Sequence, residues 1–169
     1  MALPFADGRF DAAVMALVIF FVPEPAKGVA EMARVVRPGG VIATYAWDLL
    51  GGGFPLEPIQ AELRGMGISP VLPPSAPASR IEALRTLWTG AGVTAIETRE
   101  ISVQRTFANF DEFWTIILLS PSLRPMIAAM SSEDAARLRA RVQARLLPDA
   151  AGRITYAARA NAIKGRVPR

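Results

Sequence analysis

The sequence contains no cysteine and no histidine in 169 residues. Disulfides, thiolate nucleophiles, histidine general bases and zinc sites of the cysteine/histidine kind are therefore excluded, and we predict no metal site. Charged residues are also sparse, at 20%, whereas hydrophobic residues make up 51%. A chain of this length and composition can bury a substantial core, so intrinsic disorder is excluded.

Long hydrophobic runs are absent as well. The longest one, residues 12–22, has 11 residues, which is short of the roughly 18 that a membrane-spanning helix requires. No basic stretch followed by a cleavable apolar stretch opens the sequence, so we predict a cytoplasmic protein with no membrane partner.

The basic residues concentrate in the last third of the chain. Residues 105–169 hold 11 basic and 5 acidic side chains, whereas residues 1–104 hold 8 and 10. Arg137, Arg139, Arg141 and Arg145 share one predicted helix, interleaved with apolar residues. A solvated helix face is the favoured interpretation. An anionic partner is the alternative, and nucleic acid is disfavoured because no base-stacking aromatics are interleaved with these arginines.

The order of predicted elements indicates an α/β fold. The continuous apolar run of residues 11–22 predicts a strand buried on both faces, as at the centre of a parallel sheet. A helix over Pro25–Val36 and a strand over Val41–Ala46 complete a right-handed crossover unit. The Gly/Pro-rich residues 48–78 predict a lid-like loop.

The remaining residues continue the single, partial domain predicted for residues 1–169. Ser79 and Glu82 have the spacing of a capping box at the start of a helix that Gly90 and Gly92 end. A helical insertion is predicted over 109–150. The other predicted elements are strands at Val93–Phe107 and Ile154–Val167 and, within the insertion, helices at Asn109–Leu119 and Ser131–Leu147.

Residues 3–48 carry several motifs in a recognisable order. They are Leu3-Pro4-Phe5, Phe10-Asp11 at the start of a strand, Glu31 with Arg34 in a helix, and Arg37-Pro38-Gly39-Gly40 before the next strand. This order resembles the second half of class I S-adenosylmethionine-dependent methyltransferases of the type 11-like group. The resemblance implies a partial Rossmann-like sheet of that family's strands 4 to 7, a helical insertion before the last strand, and methyl transfer to an acceptor that we expect to be a small molecule.

The resemblance also implies site residues. Met1, Ala2 and Leu3 would border the adenine of S-adenosylmethionine. Met15, Ala16, Leu17 and Phe20 would lie beside its methionine moiety, at the end of a strand where such sheets bind ligands. The expected substrate-pocket residues are Trp47, Phe54, Phe113 and Trp114. Asp48 is the candidate catalytic residue, since it could orient an acceptor hydroxyl or amine; a helix or turn cap is the alternative role.

That family's glycine-rich turn and ribose-binding acidic residue would precede Met1. We therefore expect a fragment, a mis-called start or a truncated paralogue lacking about 80–100 residues, and a chain that is inactive alone. The alternative function is a non-catalytic paralogue that associates through an open sheet edge. In either case we predict a homo-oligomer, or pairing with the missing strands, through residues 12–22. A dehydrogenase half lacks support because no G-x-G-x-x-G precedes a helix.

Overall fold

A computed structural model of the chain describes residues 2–169. Strands and helices alternate along it, with single turns of 3-10 helix at Ile19–Phe21 and Ala76–Ser79. In chain order the elements are β1 (Phe10–Ala16), α1 (Pro25–Val35), β2 (Val36–Trp47), α2 (Glu57–Gly65), α3 (Ile81–Gly90), β3 (Thr94–Phe107), α4 (Phe110–Ile117), α5 (Leu123–Ala128), α6 (Ser132–Arg145) and β4 (Ile154–Arg166).

The strands form one open sheet in the order β1-β2-β4-β3. β1 and β2 are parallel, with Ala13 opposite Ile42, and the α1 crossover joins them. β2 and β4 are antiparallel, with Tyr45 opposite Ala162. The predicted α/β class and the predicted crossover unit are therefore confirmed.

The described residues group into two compact units. The first contains residues up to 54, residues 72–102 and residues 159–169, and the second contains residues 55–71 and 103–158. β3 and β4 each contribute residues to both units. The predicted boundaries at 48–78 and 109–150 do not coincide with these units, because α2 belongs to the same unit as α4, α5 and α6.

The core of the first unit lies between one face of the sheet and two helices. Val29 of α1 and Trp88 of α3 are completely buried against sheet residues such as Ile42 and Ile163. The indole Nε1 of Trp88 also donates to the carbonyl of Ile42 at 3.4 Å. The 3.6-residue spacing of apolar side chains in α1 and α3 thus provides the layer that covers this sheet face.

The second unit has its own core. Phe113 of α4 and Leu138 of α6 are completely buried, as are Ile59 and Leu63 of α2. The rings of Phe107 and Phe113 meet edge to face with centroids 5.2 Å apart. This unit therefore packs around aromatic and aliphatic side chains from several segments.

The prediction for residues 11–22 was wrong in two respects, the extent of the strand and its place in the sheet. These residues form two elements, β1 and the 3-10 turn, because the chain leaves the extended conformation at Leu17. β1 also lies at the sheet edge and not at its centre, and its Val14 is 65% exposed. Ile19, which lies within the predicted strand, belongs to the 3-10 turn and is buried in the core.

The second strand begins earlier than predicted. β2 starts at Val36 and runs through Pro38-Gly39-Gly40, with an irregular register where it passes Phe10 and Ala12. A β-carbon at Gly40 would lie 2.6 Å from the carbonyl oxygen of Asp11. The glycine is therefore needed for close approach of β1 and β2.

Three further predictions need correction. Residues 48–78 are not irregular throughout, because they contain α2. Ser79 does not cap α3; its hydroxyl donates to the carbonyl of Ala76 within the preceding 3-10 turn. The region of the insertion contains α5 in addition to the two predicted helices, and the six residues of α5 were too few to give a clear periodic pattern.

Candidate functional site

The carboxyl ends of β1 and β2 lie at the same edge of the sheet because these strands are parallel. Residues 17–21 follow β1, and residues 48–53 follow β2, whose last residue is Trp47. Ligands of open α/β sheets bind outside such strand ends. These two segments are therefore the candidate site of the first unit.

Leu17 has an unusual backbone conformation. Its φ is +55°, in the left-handed region that L-residues other than glycine and asparagine seldom adopt. Its amide donates to the carbonyl of Tyr45 at 2.8 Å, which fixes the end of β1 to β2. Strained conformations of this kind cluster at ligand-binding positions, which makes Leu17 a candidate functional residue.

Thr44 supports the same strand end from β2. Its buried hydroxyl donates to the carbonyl of Met15 at 2.5 Å. The sequence analysis missed this residue because a threonine within a strand is a common β-former and gives no separate signal.

The residues assigned to the methionine moiety differ in accessibility. Ala16 is exposed, and Met15 and Leu17 are half-buried against the core of the first unit. Phe20 is only 4% exposed and belongs to that core, whereas its neighbour Phe21 is 58% exposed. Phe20 is therefore not available to a ligand, and the accessible surface at this strand end includes Ala16 and Phe21.

Leu3, one of the residues assigned to the adenine, lies in a segment that α1 holds in place. The amide of Leu3 donates to Glu31 at 2.7 Å, and the Arg34 guanidinium donates to the carbonyls of Leu3 and Phe5. Arg34 also pairs with Glu31 at 2.8 Å and with Asp7 at 2.5 Å. Ala2 is exposed, and Met1 lies outside the described residues.

These contacts give a physical role to Glu31 and Arg34, which the sequence analysis quoted only as part of a motif. The Arg34 guanidinium and the Leu3 amide lower the pKa of Glu31 to about 2. A carboxylate with a depressed pKa stabilises the folded state above its ordinary value of 4.5 and loses that contribution as the pH falls towards 2.

We predict that Glu31→Gln releases the segment of residues 3–8, because the neutral amide keeps the shape of the side chain but loses its charge-assisted bonds. Amide exchange at Leu3 and Gly8 should accelerate several-fold at pH 7 in the variant. In the unsubstituted protein the protection of these amides, measured against the intrinsic exchange rate at the same pH, should decrease as the pH falls from 4.5 towards 2.

Glu24→Gln is the matched control, since Glu24 pairs with Lys27 at an exposed position near the start of α1. Equal exchange at Leu3 in Glu31→Gln and in the unsubstituted protein would show that Glu31 does not hold this segment.

Asp48 organises the glycine-rich turn that follows β2. It is 7% exposed, and its carboxylate accepts hydrogen bonds from the amide of Gly51 at 3.0 Å and from Arg159 at 2.5 Å. Its carbonyl accepts from the amide of Gly53 at 2.9 Å. Both carboxylate oxygens are thus engaged, which favours the turn-cap alternative for Asp48.

Arg159 of β4 completes this arrangement. It donates to the carbonyl of Gly51 at 3.0 Å, and its Nε lies 3.7 Å from a carboxylate oxygen of Glu100. Its hydrogen bond with Asp48 raises the pKa of Arg159, so the guanidinium keeps its charge. The sequence analysis missed Arg159 because an isolated arginine in a strand gives no signal of a partner 111 residues away.

The predicted substrate-pocket residues fall in both units. Trp47 and Phe54 are half-buried and pack against the core of the first unit. Phe113 is completely buried in the core of the second unit, which is a packing role, and Trp114 is half-buried and stacks on Phe110. Only Trp47 and Phe54 flank the turn that Asp48 caps.

The arginines of α6 all have carboxylate partners. Arg141 and Arg145 both pair with Glu62 of α2, at 2.7 and 3.2 Å. Arg139 pairs with Asp111 and Arg137 with Asp134. This local neutralisation agrees with the solvated-face interpretation and leaves little free charge for an anionic partner.

Comparison with solved structures identifies the class of the fold. A Bacillus halodurans protein assigned to the methyltransferases aligns with 99% of this chain and 74% of its own, at a TM-score of 0.54 and 16% identity. The YcgJ protein of Bacillus subtilis aligns with 99% of this chain and 68% of its own, at 0.57 and 15%. The chain has the mixed α/β fold of the Rossmann-like methyltransferases.

The sequence comparisons agree with the fold. Residues 1–44 match the model of the methyltransferase domain family. The uncharacterized protein Rv1405c of Mycobacterium tuberculosis is 40% identical over 98 residues, which is 57% of this chain and 35% of that protein. A demethylmenaquinone methyltransferase of Renibacterium salmoninarum is 46% identical over 52 residues, 30% of this chain and 22% of that protein.

The resemblance to class I methyltransferases predicted from residues 3–48 is therefore confirmed. The matched segment spans about a third of the length of the mycobacterial relatives. Within residues 2–169 there is no helix long and apolar enough to cross a membrane.

Proposed function

We propose that this chain forms the part of an S-adenosylmethionine-dependent methyltransferase site that lies at the ends of β1 and β2, and that the methyl acceptor is a small molecule. The observation that carries the proposal is the fixed, left-handed conformation of Leu17 at the end of β1, beside the exposed Ala16. The family match over residues 1–44 includes this strand end.

The residues present fit one side of the cofactor. Ala16 is small and exposed, and Leu17 adds an apolar side chain, so the pair can contact the aliphatic part of a methionine moiety. Leu3 is held by Glu31 and is 36% exposed, so its side chain offers an apolar contact for the adenine ring. S-adenosylmethionine would supply an activated methyl group on a sulfonium.

The chain's own groups would mainly bind and position. Arg159 and Asp48 hold the turn after β2, and Trp47 and Phe54 at either end of that turn would line the acceptor side of the site. Orientation of the acceptor's hydroxyl or amine by Asp48 stays a prediction. In the structure this carboxylate accepts hydrogen bonds from Arg159 and from the amide of Gly51. For Phe113 and Trp114, contact with the substrate stays a prediction that rests on the family resemblance alone.

Binding by this chain alone should be weak, since contacts on one side of a ligand leave most of its surface in water. We predict no measurable heat when S-adenosylhomocysteine is titrated at micromolar concentration. At millimolar concentration, methyl resonances of Met15, Ala16 and Leu17 should shift. Ala16→Trp should abolish these shifts by filling the space beside β1, whereas Ala151→Trp, at an exposed position in the second unit, should preserve them.

Shifts that are absent, or that map away from the end of β1, would contradict the proposed site. Tight one-to-one binding in calorimetry would instead show that the chain already holds a complete cofactor site.

A non-catalytic association module is the second candidate function. The exposed edge of β1, with Val14 65% accessible, favours it. One experiment distinguishes the two candidate functions. An association module should oligomerise, and the methyl resonances of Met15, Ala16 and Leu17 should not shift at any concentration of S-adenosylhomocysteine.

A further inference from the structure

The segment that follows β1 is held at both of its ends. At its start, the amide of Leu17 donates to the carbonyl of Tyr45 in β2. At its end, Ser75 donates twice, from its amide to the carbonyl of Phe20 at 3.0 Å and from its hydroxyl to the carbonyl of Val22 at 2.7 Å. A serine 53 residues away from Val22 in the sequence therefore fixes the backbone that leaves β1.

The two carbonyls that Ser75 binds lie at the end of the 3-10 turn Ile19–Phe21. The last carbonyls of a helical turn have no partner inside the turn, and a buried carbonyl without a partner is unfavourable. Phe20 and Val22 are both buried, and the bond to the serine hydroxyl is itself partly buried. Ser75 thus satisfies two backbone groups whose access to water is restricted.

Ser75 is itself supported by the sheet. It directly precedes the 3-10 turn Ala76–Ser79, whose two alanines are buried in the core of the first unit. The buried Asn161 of β4 donates its side-chain amide to the carbonyl of Ser79 at 2.9 Å. A hydrogen bond in such a buried position restricts movement of this turn, so Ser75 connects the segment after β1 to a rigid part of the first unit.

The side chains between the two anchor points differ in exposure. Ile19 and Phe20 are buried, whereas Val18 is 45% and Phe21 is 58% exposed. The rings of Phe20 and Phe21 meet edge to face with centroids 4.8 Å apart. Which side chains this segment presents at the strand end therefore depends on the backbone position that Ser75 fixes.

We propose that Ser75 is a positioning residue of the cofactor site at the end of β1. This inference rests on the proposed function, because it concerns the same strand end. Ser75 acts through the carbonyl of Val22 and not by contact with the cofactor. The positive φ of Leu17 gives the hydroxyl its importance, since a strained conformation persists only where surrounding contacts enforce it.

Loss of the hydroxyl should reduce the population of the conformation that binds. The apparent affinity of a ligand falls in proportion to the fraction of the protein that is competent to bind it. A variant without the hydroxyl keeps the amide bond to Phe20 but loses the bond to Val22. The segment should then be less strictly fixed, and cofactor binding should weaken without unfolding of the core.

Three variants of the full chain test the proposal. Ser75→Ala removes the hydroxyl, and Ser75→Thr keeps it. Ser79→Ala is the matched control, because it removes a buried hydroxyl that donates to the carbonyl of Ala76 within its own turn. S-adenosylhomocysteine is titrated into the millimolar range, and its dissociation constant is obtained from the methyl shifts of residues 15–17.

The dissociation constant should rise about three- to tenfold in Ser75→Ala, as expected for one lost hydrogen bond, and should stay within about twofold in Ser75→Thr and Ser79→Ala. Without ligand, amide exchange at Phe21 and Val22 should accelerate in Ser75→Ala alone. Urea unfolding shows that each variant is folded. A merely structural role of Ser75 would lower the stability and leave the dissociation constant unchanged.

Two results would overturn the proposal while the proposed cofactor site remains. They are equal dissociation constants for Ser75→Ala and the unsubstituted protein, and a Ser75→Thr variant that binds as weakly as Ser75→Ala. Absence of shifts at residues 15–17 in the unsubstituted protein is a different failure. It would overturn the proposed function, and with it any role of Ser75 in that site.

Discussion

Replacement of Trp88 by alanine is expected to lower the free energy of unfolding by roughly 3–5 kcal/mol, the range typical of large aromatic side chains deleted from a core. Trp88 is completely buried in the first unit, and its indole donates to the carbonyl of Ile42. The loss is a large fraction of the roughly 5–15 kcal/mol that stabilises an ordinary protein. Urea denaturation followed by circular dichroism measures it.

Trp114→Ala is the matched control because Trp114 is only half-buried, in the second unit. It should cost clearly less than Trp88→Ala. Trp88→Phe keeps most of the apolar contact, so its free energy of unfolding should be much closer to that of the unsubstituted protein. If Trp88→Ala does not fold, Trp88→Phe can be compared with Trp114→Ala instead. A loss below about 1 kcal/mol for Trp88→Ala would mean that the site collapses around the missing ring or is less well packed than the structure indicates.

Concentration-dependent association through the edge of β1 is the second large expected effect. β1 lies at one end of the sheet order and pairs with β2 alone among the described strands. The stretch from Ala12 to Ala16 contains no charged residue and no proline, which are the usual protections of an exposed edge. Sedimentation at increasing concentration should therefore detect dimers or larger species.

Val14→Lys should raise the dissociation constant at least tenfold, since it places a charge beside the unpaired edge. Val71→Lys makes the same change at a position that is 82% exposed in the second unit and should have no effect. A stable monomer at high concentration, with amides of residues 12–16 protected from exchange, would show that another element covers the edge.

Local sequence signals were sufficient to predict most of the helices and strands. The spacing of Val29 and Met32 specified α1, and Pro25 at its first position marked where it begins. The β-branched content of β3 and the alternation in β4 were sufficient to place both strands within about one residue of their observed ends. These signals were reliable because they depend on short-range periodicity and steric preference.

Tertiary contacts decided what local patterns could not. A continuous apolar run looks the same at the centre of a sheet and at its edge, so the exposure of Val14 followed only from the strand order. The helix α2 was hidden among glycines and prolines, and its stability comes from packing of Ile59 and Leu63 and from the pairing of Glu62 with α6.

The candidate site shows the same division. The resemblance to class I methyltransferases could be recognised from the sequence alone, and it is this resemblance that placed Ala16 and Leu17 at the end of a strand, since the apolar run by itself predicted a strand that continues to residue 22. Only the tertiary structure decided that Leu17 is held at a positive φ, that Phe20 turns into the core, and that Arg159 engages Asp48. The physical reason is that these properties depend on contacts between residues far apart in sequence, and each such contact is selected by the packing of the whole unit.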